Sequence, residues 1–188
     1  MKYIIPIIIL SFVLLSCSKE ESEEETITEL EGTWKTDCYT TDNTSYIDTL
    51  TFVGNVLTIK EEKHSDTSCA TDYRLVEFPV AFSMGDAVTF ANGKTGHKFT
   101  LTLGSTFKMT PQSDSAVSAF NSGSGECSKT DWVKDTEKEC STGDDAGDTK
   151  LCLYQLDGNN WYPKCDDSAY PSTSDIQTDN ASSTFTKQ

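Results

Sequence analysis

Apolar and polar residues alternate with a period of two in several windows of this chain, which puts every second side chain on one face of a β-strand. The clearest case is residues 49–53 followed by 56–60, with Gly54-Asn55 between them. Both turn residues tolerate positive φ, so the pair suits a two-residue hairpin. That turn sets Phe52 opposite Leu57 and Leu50 opposite Ile59, so the four apolar side chains share one face while Thr51 and Thr58 share the other. A second hairpin is predicted around Gly158-Asn159, pairing Leu156 with Trp161, Tyr154 with Pro163 and Cys152 with Cys165. Pro163 then falls where the ladder needs no N–H, and the two cysteines form a close cross-strand pair suited to a disulfide.

Further strands are expected at 73–82, with Val76, Phe78, Val80 and Phe82 on one face, and at 99–103. Pro79 makes the first of these an edge or a bulged strand. A three-residue loop at 104–106 is expected to return the chain through Phe107 and Met109. Only 113–121 reads as a helix, with Ser113 as its cap and Ala116, Val117 and Phe120 as an apolar stripe. Residues 166–188 read as a polar C-terminal tail. The expectation is an all-β domain over residues 32–165, a single antiparallel β-barrel or sandwich with one short helix.

One apolar stretch does not alternate. It runs from Ile4 to Leu15, broken only by Pro6 and Ser11, behind the single basic residue Lys2. This is the make-up of a signal peptide over residues 1–16, and it is shorter than the roughly 20 residues needed to span a bilayer. It stops at Leu14-Leu15-Ser16-Cys17, which resembles the lipobox of bacterial lipoproteins. That resemblance implies acylation of Cys17, attachment to a membrane through this lipid and cleavage before it. Ser18 in the next position resembles lipoproteins sorted to the outer membrane, with the periplasmic or cell-surface face left open. The other reading is an ordinary signal peptide whose Cys17 joins the disulfides. Residues 18–31 hold seven acids and one lysine with little apolar content, the composition of a solvated tether rather than a core.

The chain has seven cysteines, an odd number, and an exported protein rarely keeps a free thiol. Setting Cys17 aside leaves Cys38, Cys69, Cys127, Cys140, Cys152 and Cys165. Cys38 follows the first strand and Cys69 the second arm of the first hairpin, so these two are expected to pair. Cys127 and Cys140 are left to each other. A zinc site is the competing reading, but no CxxC pair accompanies these cysteines.

Charge narrows the partners. A formal net charge of −15, with Arg74 the single arginine, repels a phosphate backbone and excludes nucleic acid. An enzyme is not expected. His64 and His97 lie in polar, turn-like surroundings, and the carboxylate pairs Asp144/Asp145, Asp166/Asp167 and Glu137/Glu139 stand in polar loops with no aromatic platform around them. No metal or other cofactor is expected; Asp144, Asp145 and Asp148 match no calcium-loop spacing.

Gly32-Thr33-Trp34 opens the domain, and Gly-x-Trp at the first strand resembles lipocalins and lipocalin-like lipoproteins. The resemblance implies a β-barrel closed at one end by the Trp. In that family an arginine from a late strand packs on this Trp. A longer likeness, over residues 32–165, is to bacterial lipoproteins of unassigned activity. They share the order Gly-Thr-Trp, Cys, a Gly-Asn hairpin, Ser-Asp-x-x-Cys (Ser65 to Cys69) and Cys-x-x-x-Asp-Trp (Cys127 to Trp132); this implies a fold and an address. Two roles follow. One is a non-catalytic domain that contacts an envelope or surface macromolecule. The other is a carrier of a small apolar ligand, held in a barrel cavity lined by Trp34, Phe52, Leu57, Ile59, Phe99 and Leu101.

Overall fold

The structure, a computed structural model, describes residues 29–176, 178 and 181–188. The expectations for the signal peptide, for Cys17 and for the tether up to residue 28 lie outside the described residues. In chain order the elements are β1 (Gly32–Thr36), β2 (Tyr39–Thr41), β3 (Thr44–Val53), β4 (Val56–His64), β5 (Asp72–Thr89), β6 (Thr95–Leu103), β7 (Thr106–Pro111), α1 (Asp114–Phe120), β8 (Lys138–Ser141), β9 (Thr149–Asp157), β10 (Asn160–Asp166) and β11 (Phe185–Lys187).

Eight of these strands close an antiparallel barrel. Each pairs with the next in the order β1, β3, β4, β5, β6, β9, β10, β11, and β11 pairs back onto β1. The order around the barrel is the order along the chain, so the barrel is an up-and-down meander. Both expected hairpins are present in the expected register, with Phe52 facing Leu57 and Leu50 facing Ile59, and with Tyr154 facing Pro163 and Cys152 facing Cys165.

β3, β4 and β5 are longer than the barrel needs and run past its rim. Beyond it β2 adds to β3, while β7 and then β8 add to β5, which carries the same sheet on as an open extension. α1 packs on this extension, with Ser113 Oγ accepting from Ala116 N at its start and Ala116 and Phe120 buried. A small core of Val76, Met109, Ala116, Phe120, Trp132 and Cys140 lies there. The barrel has its own core, dominated by Trp34, Phe52, Leu57, Phe99, Tyr154 and Trp161. Gly96 lets β6 approach β9, since a Cβ on it would meet the Tyr154 carbonyl oxygen at 1.8 Å.

Three disulfides, Cys38–Cys69, Cys127–Cys140 and Cys152–Cys165, cross-link the chain. The first two hold the extension and the third joins β9 to β10. Three disulfides are the mark of an extracytoplasmic protein.

Four expectations are corrected. Residues 104–106 do not form a hairpin loop: β6 and β7 both run antiparallel to β5 along the same edge, β6 facing Val80–Thr89 and β7 facing Arg74–Glu77. They are one broken strand, interrupted at Gly104-Ser105 where the neighbour on the far side changes from β9 to β8. Residues 166–188 are not all tail, because Phe185–Lys187 is the strand that seals the barrel, and its single aromatic is buried. The solvated tether ends before residue 31: Leu30 is fully buried in the barrel core. His64 and His97 lie on strands, and His64 is 4% exposed. A polar loop, residues 65–71, folds over its face of the sheet, with Ser45 Oγ donating to the Asp66 carbonyl and accepting from Cys69 N.

Candidate functional site

The barrel has two unlike poles. At one, the chain enters. Trp34 Nε1 donates to the Leu30 carbonyl at 2.7 Å, Gly54 N donates to Glu31 Oε1, and the Tyr154 hydroxyl donates to Glu29 Oε1 at 2.5 Å. Burial, and then the Glu29 hydrogen bond, push the Tyr154 phenol well above its ordinary range. The Lys187 ammonium lies 5.1 Å from the Trp34 ring centre, within cation–π range. A cation from the last strand thus packs on the Gly-x-Trp tryptophan. This pole is plugged.

The six residues expected to line a ligand cavity do share the inner face, but they pack on one another. Trp34, Phe52, Leu57 and Phe99 are buried in one core cluster, and Ile59 and Leu101 are partly buried against it. Trp161 stands among the rings of Trp34, Phe52, Phe99, Tyr154 and Phe185 at centroid distances of 5.3 to 6.2 Å. Aromatic rings at 4.5–7 Å are in mutual contact, so the aromatic interior is a packed core.

The opposite pole is polar. Where β3, β4 and β5 leave the barrel, the inward row of side chains continues as Asp48 and Tyr46 on β3, Glu61 and Lys63 on β4, and Val76 then Arg74 on β5, with Val76 belonging to the small core under α1. β2 adds Tyr39, whose hydroxyl donates to Asp48 Oδ2 at 2.8 Å and whose ring stacks on Tyr46 with centroids 5.7 Å apart. Burial raises the Asp48 carboxyl above its ordinary value, the Tyr39 hydrogen bond opposes this, and the Glu61 charge adds to it. Burial first, and then the hydrogen bond to Asp48, push the Tyr39 phenol far up. Glu61 in turn pairs with Arg74 at 3.1 Å.

Beside this row lies a cavity of about 270 Å³, lined by Thr44, Lys63, Ser65 and Tyr73. The Lys63 ammonium sits 5.6 Å from the Tyr46 ring centre and 5.7 Å from that of Tyr73. Thr44 Oγ1 donates to the Thr41 carbonyl and lies 3.1 Å from the Tyr46 hydroxyl. Sequence reasoning did not find this cluster, because its members are scattered over β2 to β5 in windows that read as ordinary polar strand faces. The turn at Asp42-Asn43, where both residues have positive φ, brings Tyr39 against Tyr46; an Asp-Asn pair of this kind is the signal that could have located it.

Three of the carboxylates noted in the sequence are used locally. Asp166 accepts from Ser168, Asp167 pairs with Lys150, and Glu137 pairs with Lys108. Among the described residues, no three His, Cys, Asp or Glu side chains gather as a group that could hold a metal ion. Compared with known proteins, the chain matches no protein-family model and no curated protein sequence.

Proposed function

We propose that this protein is a non-catalytic envelope lipoprotein, held to the outer membrane through an acyl chain on Cys17, whose β-barrel domain binds a macromolecule or small ligand at its polar pole. The polarity of the barrel carries this reading. The chain enters at the plugged Leu30–Trp34 pole, and the cavity lies at the far end of β3, a strand of ten residues that ends at Val53. At about 3.3 Å per residue this separates the two by roughly 30 Å. A domain tethered at one end thereby presents its polar cluster outward. Nothing in that cluster is poised for chemistry: Asp48 and Glu61, facing each other across β3 and β4, are committed to Tyr39 and Arg74. The net charge of −15 supports partners other than nucleic acid. The Gly-x-Trp barrel with Lys187 on its tryptophan supports kinship with lipocalin-like lipoproteins, although the filled aromatic interior counts against a carrier of apolar ligands.

Fractionation of cells producing the wild type and Cys17→Ser tests the anchor. The wild type is expected in the outer-membrane fraction and the variant among soluble envelope proteins; retention of the variant in the membrane would overturn the assignment. Protease added to intact cells then decides which face of the membrane carries the domain.

A further inference from the structure

We propose that the cavity around Lys63 binds a hydroxylated monocarboxylate of monosaccharide size, such as a uronic acid unit. The inference rests on the binding reading above and names its ligand class. Among the described residues, Lys63 makes no ion pair with a carboxylate. Of the acids nearest to it along the chain and across the ladder, Glu61 pairs with Arg74 and Glu62 with Lys60, while Asp72 lies 3.2 Å from His64 Nδ1 with its carboxylate largely exposed. The ammonium is held instead between two tyrosine rings, which orients it while leaving its N–H donors for another acceptor.

Around it are the hydroxyl-bearing residues Thr44, Ser65 and Tyr73; Thr44 Oγ1 and Ser65 Oγ already donate to the Thr41 and Thr71 carbonyls, so toward a ligand these two serve as acceptors for its hydroxyl protons. Size and charge set the class. About 270 Å³ falls just below the roughly 300–1,000 Å³ of sites for drug-sized ligands. One ammonium balances one negative charge, whereas a dianionic phosphate group in a chain of net charge −15 would stay undercompensated. A neutral sugar would leave the ammonium without an ionic partner.

The test is a titration of the ¹⁵N-labelled full chain, in detergent micelles, with glucuronate, glucose and acetate. Glucuronate is expected to shift the amides of Thr44, Lys63, Ser65 and Tyr73, with glucose and acetate each at least about tenfold weaker. Lys63→Met is expected to weaken glucuronate binding at least tenfold, and Lys63→Arg to retain most of it. Unchanged amide shifts elsewhere in both variants would show that the fold is kept. Equal responses to glucose and glucuronate, equal responses to acetate and glucuronate, full binding by Lys63→Met, or no response to glucuronate would each overturn the proposal. None of these outcomes bears on the Cys17 anchor, which fractionation tests separately.

Discussion

Leu30 comes two residues before the first strand, in a run of acids, yet it is fully buried in the barrel core and its carbonyl receives the Trp34 indole N–H. Truncating a buried leucine costs about 2–5 kcal/mol, so Leu30→Ala is expected to lower the unfolding free energy by that amount, read as a fall in the urea midpoint with the m-value unchanged. A cost under about 0.5 kcal/mol would mean that the plug does not seal this pole. Asp48 makes a different prediction. Its carboxyl holds a proton more strongly folded than unfolded, because burial raises its affinity and Glu61 adds to the effect. The folded state is therefore favoured while Asp48 is protonated, and that advantage is lost as pH rises from the ordinary carboxylate value through the raised one. Asp48→Asn keeps an oxygen for the Tyr39 hydroxyl and removes the charge. It is expected to be more stable than the wild type at pH 7, with the difference shrinking as pH falls toward 4. Denaturation at both pH values measures it, and a variant less stable at pH 7 would contradict this account.

At the scale of elements, β11 is three residues long and closes the barrel on both sides, through Thr36–Phe185 and Trp161–Phe185. Its one buried anchor is Phe185, 5.3 Å from the Trp161 ring centre. Phe185→Ala is expected to cost about 3–5 kcal/mol and to speed amide exchange in β1 and β10, the two strands it would leave as edges, ahead of β4 and β5. Uniform acceleration across all strands would show that closure is not local to this strand. β11 was illegible in the sequence because one aromatic in a Ser/Thr-rich segment carries no period, and its partners lie about 25 and 150 positions away. The hairpins at Gly54-Asn55 and Gly158-Asn159 were legible, since there turn chemistry and alternation act within ten residues. The Cys38–Cys69 and Cys127–Cys140 cross-links, which no single hairpin sets, were legible only as far as cysteine positions allow. The break between β6 and β7 was not, because Gly104-Ser105 is as good a turn as a bend, and only the change of neighbour from β9 to β8 decides between them. The Tyr46–Lys63–Tyr73 cluster likewise depends on which strands lie side by side beyond the barrel rim.

The whole molecule carries two cores on shared strands. The barrel core holds Trp34 and Trp161, and the core under α1 holds Trp132, which together are all the tryptophans of the chain. The smaller core is bound by Cys127–Cys140 and by Asn121, whose side chain donates to the Trp132 carbonyl and accepts from its N–H. Six buried side chains are few to stabilise a subdomain. A disulfide closing 13 positions contributes about 3 kcal/mol in the chain-entropy model, so much of the local stability resides in that bond. Regions with few buried contacts open at lower free energy than the global transition. Replacing both Cys127 and Cys140 by Ala is therefore expected to expose Trp132 to acrylamide while Trp34 and Trp161 stay protected, so that about one third of the tryptophans become quenchable and the barrel still unfolds cooperatively at higher denaturant. If all three tryptophans became accessible together, the two cores would be one cooperative unit, and the extension would be as rigid a platform for the Lys63 cavity as the barrel itself. The expected outcome instead makes β3, β4 and β5 the rigid part of the polar pole, because these strands are anchored in the barrel whether or not α1 is docked.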